Sequence, residues 1–352
     1  MTFYLKYMLK VNFVKSCNKR KMEKVYSFNS ELFKITGVQK VVMDVHHAVR
    51  DDYDAKIVGT VPFEKLHKDL KIGKNEYVKL RSPFMFKNSI VIVHERKFLM
   101  LFWLLNKIFF QNIKIVYIHH NMLFGHKLTT KLPEHIVAIS DAGIKNLTEY
   151  FGVPRGHITK IYNCVRDIHP ERHSVPSAGK ITLLLPARIN DVKQQVEIVK
   201  HLKDKLKHNI RILFAGTGPN YDKLKKAVEG DARFECLGYR SDIYDLLAKS
   251  DYMLLFSQHE GLPISLIEAD MMGTPVVCNN VGGNAEIVHN LENGFVVNDW
   301  NALADCLNSL VNIDKEKYLL MSKKGREIYQ EHFTYEVFKQ HYLKLLSTLQ
   351  NE

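Results

Sequence analysis

Short apolar runs rich in Val, Ile, Leu, Tyr and Phe recur along the chain, separated by longer stretches in which apolar residues return every three or four positions. The short runs predict strands at Lys24–Phe28, Ala55–Val58, Ser89–Val93, Lys114–His119 and His135–Ile139. After residue 179 the series restarts, with Lys180–Leu185, Ile210–Ala215, Phe234–Leu237, Tyr252–Phe256 and Pro275–Asn279. Strands alternating with amphipathic helices make a parallel sheet covered by helices. Two such series in tandem predict two doubly wound α/β domains facing across a cleft, with ligands at the carboxyl ends of the strands.

The polar, Pro-containing segment from Pro170 to Gly179 is the linker candidate, and Tyr335–Leu349 is amphipathic. The expected organisation is an extension over residues 1–21, a first domain over 22–170, a linker over 171–179 and a second domain over 180–334. A C-terminal helix over 335–352 would pack back toward the first domain.

Composition narrows the class. The 352 residues are 46% hydrophobic and 25% charged, which excludes disordered, collagenous and disulfide-scaffold proteins. Five widely spaced cysteines without a Cys-x-x-Cys fit buried thiols in a reducing cytoplasm. The longest apolar run, Phe98–Phe110, is interrupted by Asn106 and Lys107 and falls short of the roughly 20 residues that span a bilayer, so it reads as a buried or interfacial helix. The first 21 residues hold six Lys or Arg and no acid, but Lys6, Lys10 and Lys15 break any secretory apolar core. They read either as a disordered start or, through Tyr4, Tyr7, Met8, Val11 and Val14 at helical spacing, as a membrane-surface helix.

The net charge of +12 is unevenly placed: residues 1–165 carry 27 Lys or Arg against 13 Asp or Glu, and residues 166–352 carry 23 against 25. A basic half attracts nucleic acid, an anionic membrane or an anionic substrate alike. No nucleic-acid motif accompanies it, and the lysines are interspersed with apolar runs, so nucleic acid is not an expected partner.

The segment with most chemistry runs from Glu260 to Pro275. Pro263 stands where a helix should begin and Gly273 where it should end. No Ser, Thr, Asp or Asn caps that helix, which leaves the amides of Ile264 and Ser265 open to an anion. Glu260 lies just before the helix and Glu268 about a turn inside it. Carboxylates accept hydrogen bonds from sugar hydroxyls, so two acids beside an anion site suggest a polyol bearing a phosphate. Arg188 and Lys193 follow the first strand of the second domain, where a guanidinium fork and a point charge can bracket a diphosphate. Ala215-Gly216-Thr217-Gly218-Pro219 is a tight turn between strand and helix. Asp52-Tyr53-Asp54 has the form of a metal-binding Asp-x-Asp, but it precedes a strand, at the wrong end for a ligand site, and reads as a solvated turn with no metal implied.

These residues, in this order, resemble the family 4 retaining glycosyltransferases of GT-B fold, over about residues 24–349. The resemblance rests on Arg188-x4-Lys193, Phe214 to Pro219, Glu260-x7-Glu268 and Gly273 through Val281-Gly-Gly to Glu286. In the first half it rests on Thr36-Gly37-Val38, Val137 to Ala142, and Phe151-Gly-Val-Pro154 through Asn163. It implies a nucleotide-diphosphate sugar as substrate rather than a cofactor, and a glycan acceptor, lipid-linked in cell-surface polysaccharide assembly. Arg188 and Lys193 would hold the diphosphate. Glu260 and the amides after it, at Gly261, Leu262, Ile264 and Ser265, would hold the sugar. Glu268 would take the ribose hydroxyls, Gly218 would belong to the donor turn, and Tyr239 would border the base. Gly37 would let backbone approach the phosphates, and His119 would face the sugar from the other domain, with His120 beside it as the competing choice. The resemblance implies that no protein base is needed, because the leaving phosphate oxygen can take the acceptor's proton; a double displacement through a carboxylate nucleophile stays open, though no residue in the sequence identifies itself as that nucleophile. The basic first half would then face an anionic inner-leaflet membrane, giving a cytoplasmic, peripherally bound enzyme. The competing readings are a GT-B partner or carrier-binding subunit without catalysis and, more remotely, a sugar-nucleotide epimerase.

Overall fold

A computed structural model describes residues 23–169 and 179–351, so the expectations for residues 1–21 and for most of the linker lie outside the described residues. The first domain is a seven-stranded parallel sheet. Its strands are β1 (Lys24–Phe28), β2 (Asp54–Gly59), β3 (Tyr77–Lys79), β4 (Ile90–Val93), β5 (Lys114–His119), β6 (His135–Ala138) and β7 (Ile158–Lys160), in the order β3-β2-β1-β4-β5-β6-β7. The second is a six-stranded parallel sheet of β8 (Ile181–Pro186), β9 (Ile210–Ala215), β10 (Phe234–Gly238), β11 (Tyr252–Leu255), β12 (Val276–Cys278) and β13 (Gly294–Val296), in the order β10-β9-β8-β11-β12-β13. The ten expected strands are present within a residue or so, and β3, β7 and β13, three residues each, are additional. Strand order reverses between β1 and β4 in one sheet and between β8 and β11 in the other, which opens a crevice at each carboxyl edge.

The helices are α1 (Gly37–Val49), α2 (Leu99–Lys107), α3 (Asp141–Lys145, running on as a π turn through Phe151), α4 (Gln195–Leu202), α5 (Tyr221–Val228) and α6 (Ile243–Lys249). They continue with α7 (Ile264–Met272), α8 (Asn284–Ile287), α9 (Trp300–Ser309), α10 (Lys315–His332) and α11 (Tyr335–Gln350). Strand alternation divides each sheet's side chains between two faces. On one face of the first sheet Ile90, Ile92, Val116 and Ile118 pack with Val41, Val45 and Ala48 of α1. That cluster continues through Leu262, Leu266 and Ile267 of the second domain, so one apolar layer crosses the domain boundary. On the other face Val91, Val93 and Tyr117 pack under Phe102 and Leu105 of α2. The apolar run around α2 is thus half buried, with Ile108, Phe109 and Phe110 left exposed at its end.

The chain crosses between domains twice, side by side. Val165 donates to Phe333 O at 3.0 Å, and Tyr329 donates through its hydroxyl to Val165 O at 2.9 Å. Thr334 then caps α11 by accepting from Val337 N at 3.3 Å, and α11 lies on α1 with Phe338, Tyr342, Leu346 and Leu349 buried. Tyr342→Ala removes a fully buried ring from this layer and is expected to cost about 3–5 kcal/mol, seen as a lower melting temperature. A melting temperature equal to wild type would show that α11 is dispensable to the first domain.

Candidate functional site

Each catalytic candidate of the second domain sits in a loop at the carboxyl edge of its sheet. After β8 the chain turns through Arg188 to Lys193, and after β11 through Ser257 to Pro263. The two loops are joined by Gln258 N donating to Val192 O at 2.8 Å. Within the first, Asn190 Oδ1 accepts from Lys193 N at 3.0 Å, and Gln195 Nε2 donates to Arg188 O at 3.1 Å. The buried amide of Asn279 fixes the second by accepting from Ser257 N at 3.0 Å and donating to Ser257 O at 2.7 Å. These anchors leave Arg188 exposed and bring Lys193 Nζ within 2.5 Å of Glu260 Oε1. Neither half of that partly buried pair can be removed without leaving the other charge poorly solvated.

The helix after Glu260 starts one residue later than expected, because Pro263, at φ −72° and ψ 117°, is the N-cap rather than the first helical residue. It has no side-chain cap, so Ile264 and Ser265 present the positive end of the nine-residue α7, and Gly273 at φ 67° closes it. Across the cleft Thr36 precedes α1, likewise without a side-chain cap, since its hydroxyl turns to Gln39. A β-carbon built on Gly37 would lie 3.7 Å from Ile264 Cδ1, so two helix N-termini converge here. Glu268, a turn into α7, is largely buried. Burial raises its pKa, while Lys40 of α1 at 3.8 Å opposes the rise and Tyr244 donates to it at 3.4 Å.

Two glycines answer to close backbone approach. A β-carbon at Gly218 would stand 2.2 Å from Ile189 O, so the turn after β9 can lie on the Arg188 loop only as glycine. A β-carbon at Gly261 would stand 2.3 Å from His120 O, so here the loop of the second domain meets the end of β5 in the first. Around that point Asn163 Nδ2 donates to Leu262 O at 3.3 Å, and Glu286 accepts from Asp141 N at 2.7 Å and from Tyr162 at 3.1 Å. Tyr239 follows β10 at its carboxyl end and is exposed. Asp52-Tyr53-Asp54 runs into the start of β2, the edge away from the cleft.

His119 does not stand where it was expected. Alternation puts it on the face of Tyr117, where it is 1% exposed and its Nε2 lies 2.9 Å from Asn146 Oδ1. His120, on the opposite face, is the histidine whose backbone touches Gly261. Its partner, His94 after β4, carries no motif and was not singled out from sequence. Strand parity was the available signal, but parity alone does not say which face meets the other domain. Lys40 and Asn279 were missed for the same lack of a local pattern, whereas Asn163 closes the segment from Phe151 that carries part of the resemblance.

Residues 168–328 match the model of the family described as glycosyl transferases group 1. A UDP-Gal:alpha-D-GlcNAc-diphosphoundecaprenol alpha-1,3-galactosyltransferase of Escherichia coli is 34% identical over 32% of this chain and 30% of its own length. An N-acetyl-alpha-D-glucosaminyl L-malate synthase of Bacillus anthracis is 27% identical over 56% of this chain and 55% of its own. The chain thus spans from under a third to just over half the length of these curated relatives. Among solved structures, Anabaena HepE in complex with UDP superposes with a TM-score of 0.79 at 18% identity, covering 93% of this chain and all of that one, a likeness of fold.

Burial holds His119 and His120 neutral, with pKa values of about 4 and about 3 against an ordinary 6.5. The unfolded imidazoles take protons below about 6.5 while the folded ones refuse them, so this stability is complete above that pH and is lost steadily down to about 3–4. The melting temperature should fall stepwise between pH about 7.5, 6 and 5. A constant value would contradict the burial of these rings.

Proposed function

We propose that this chain, which belongs to the GT4-like glycosyltransferases, transfers a sugar with retention of configuration from a nucleotide-diphosphate sugar to a lipid-linked glycan acceptor, without a metal ion. The observation that carries the reading is the Lys193–Glu260 pair set against the uncapped N-terminus of α7. A group that binds diphosphate and one that binds sugar hydroxyls are thereby in direct contact, at the junction where a glycosyl–phosphate bond would lie. Lys193, Arg188 and the converging N-termini of α1 and α7 supply the positive field that a departing diphosphate needs. Fixed side-chain cations and helix amides take the place of a divalent ion. Glu260 and the amides of Gly261, Leu262, Ile264 and Ser265 hold the sugar, Glu268 the ribose, and Tyr239 stacks on the base beside the Gly218 turn. UDP is the first nucleotide to test, since HepE is seen with UDP and the E. coli relative is named for UDP-Gal.

The acceptor reading is supported by the first domain's surface and by the lipid diphosphate in the E. coli relative's name. Between β5 and β6, at the carboxyl edge, Phe124 is 70% and Leu128 is 90% exposed. They flank Lys127, and Lys131 follows, its ammonium 5.6 Å from the centre of the Trp103 ring. Apolar tips among lysines suit an anionic bilayer, at about 1 kcal/mol per basic residue near its surface. Docking through this loop brings the cleft to the cytoplasmic face of the membrane.

Lys193→Ala and Glu260→Ala should each lower transfer by about 10²–10³-fold with the fold intact by circular dichroism, and chelators should leave the wild type unaffected. Full activity in either variant, or loss on chelation, would refute the assignment. Co-sedimentation with anionic vesicles should weaken in high salt and in a Phe124→Asp/Leu128→Asp variant. Binding indifferent to lipid charge and salt would count against the membrane surface.

A further inference from the structure

His94 and His120 directly follow the neighbouring strands β4 and β5, on the same face of the sheet. Their rings stack at 18° with centroids 5.3 Å apart, and His94 Nδ1 lies 3.1 Å from His120 Nε2. Both are nearly sealed, 4% and 8% exposed, and burial keeps both neutral at pH 7. Two neutral imidazoles meeting through one nitrogen each must share one proton, with one ring donating and the other accepting.

The remaining nitrogen of His94 decides which. His94 Nε2 is buried and has no hydrogen-bond partner among the described residues. If His120 donated from Nε2, His94 would carry its proton on that orphaned Nε2. If His94 donates from Nδ1, only a lone pair is left there. A buried unpaired N–H is the rarer and more costly of the two. The shared proton therefore belongs to His94 Nδ1, and His120, accepting at Nε2, must carry its own proton on Nδ1.

We propose that His94 is a positioning residue for the transfer: by donating to His120 Nε2 it fixes His120 as the Nδ1–H tautomer, a hydrogen-bond donor to a hydroxyl of the sugar beside Glu260. The proposal rests on the glycosyl-transfer reading, and the place of His120 follows from its backbone lying against Gly261, next to Glu260. Glu260 can only accept and His120 can only donate, so a hydroxyl between them is held in one orientation. A sugar deoxygenated there would leave both groups unpaired.

The test is nitrogen-15 NMR of the histidine side chains together with steady-state kinetics. In the wild type, His120 should show a protonated Nδ1 and an unprotonated Nε2. In His94→Leu the proton should redistribute, kcat should fall by about ten-fold or more with KM for the donor little changed, as for other outer partners that fix a histidine's tautomer. His94→Asn keeps an N–H near the height of Nδ1 and should restore both tautomer and turnover. A wild-type His120 protonated on Nε2, or a His94→Leu variant with unchanged tautomer and kcat, would overturn the proposal. Calorimetry with the nucleoside diphosphate reports on the Lys193 side alone, so its failure in the wild type would strike the functional reading and leave the tautomer result standing.

Discussion

The cleft is gauged by one backbone contact, the α-carbon of Gly261 against the carbonyl of His120. Because no side chain intervenes, the loop carrying Glu260 comes as near to the first sheet as van der Waals radii allow. The other cleft contacts inherit that spacing: Asn163 reaching Leu262, Glu286 reaching Asp141, Lys40 reaching Glu268. The apolar layer that runs from Ile90 and Ile92 to Leu266 and Ile267 supplies the attraction, and the glycine sets where it stops.

Charge is arranged on a different scale from packing. The second domain, net −2 from residue 166 onward, relies on Arg188, Lys193 and the N-terminus of α7 for a local positive field. The first half carries 27 basic against 13 acidic residues along the sequence, an excess not confined to one loop. Short-range cations bind a small anion with defined geometry, whereas a diffuse excess acts over a Debye length on an extended one. The two halves thus carry positive charge on different length scales.

How much was legible follows from how local each signal is. Strands such as Ile90–Val93, fully buried on both faces, announce themselves as unbroken apolar runs, and Gly273 ends α7 as its sequence implies. The three-residue strands β3, β7 and β13 are too short to display a period and are held by their neighbours. At the site, Lys193 and Glu260 are legible through their motifs, although they are 67 residues apart and their 2.5 Å approach depends on Asn279 and the Gln258–Val192 bond. His119 lies on the face away from Gly261; strand parity names two faces, and only tertiary packing says which one the other domain meets. His94 had no sequence signal at all, a lone histidine at the end of an apolar strand.

The return of α11 to α1 has a bearing on how the chain is made. Phe338, Tyr342, Leu346 and Leu349 complete a layer begun by Val41, Val45 and Ala48, almost three hundred residues earlier. During synthesis the first domain emerges with that face of α1 bare, and it stays bare while the whole second domain is translated and folds. The two domains therefore cannot mature as independent units in order of appearance. The earlier one waits for the later, and for that interval its uncovered stripe is a surface on which chaperones or other nascent chains can settle.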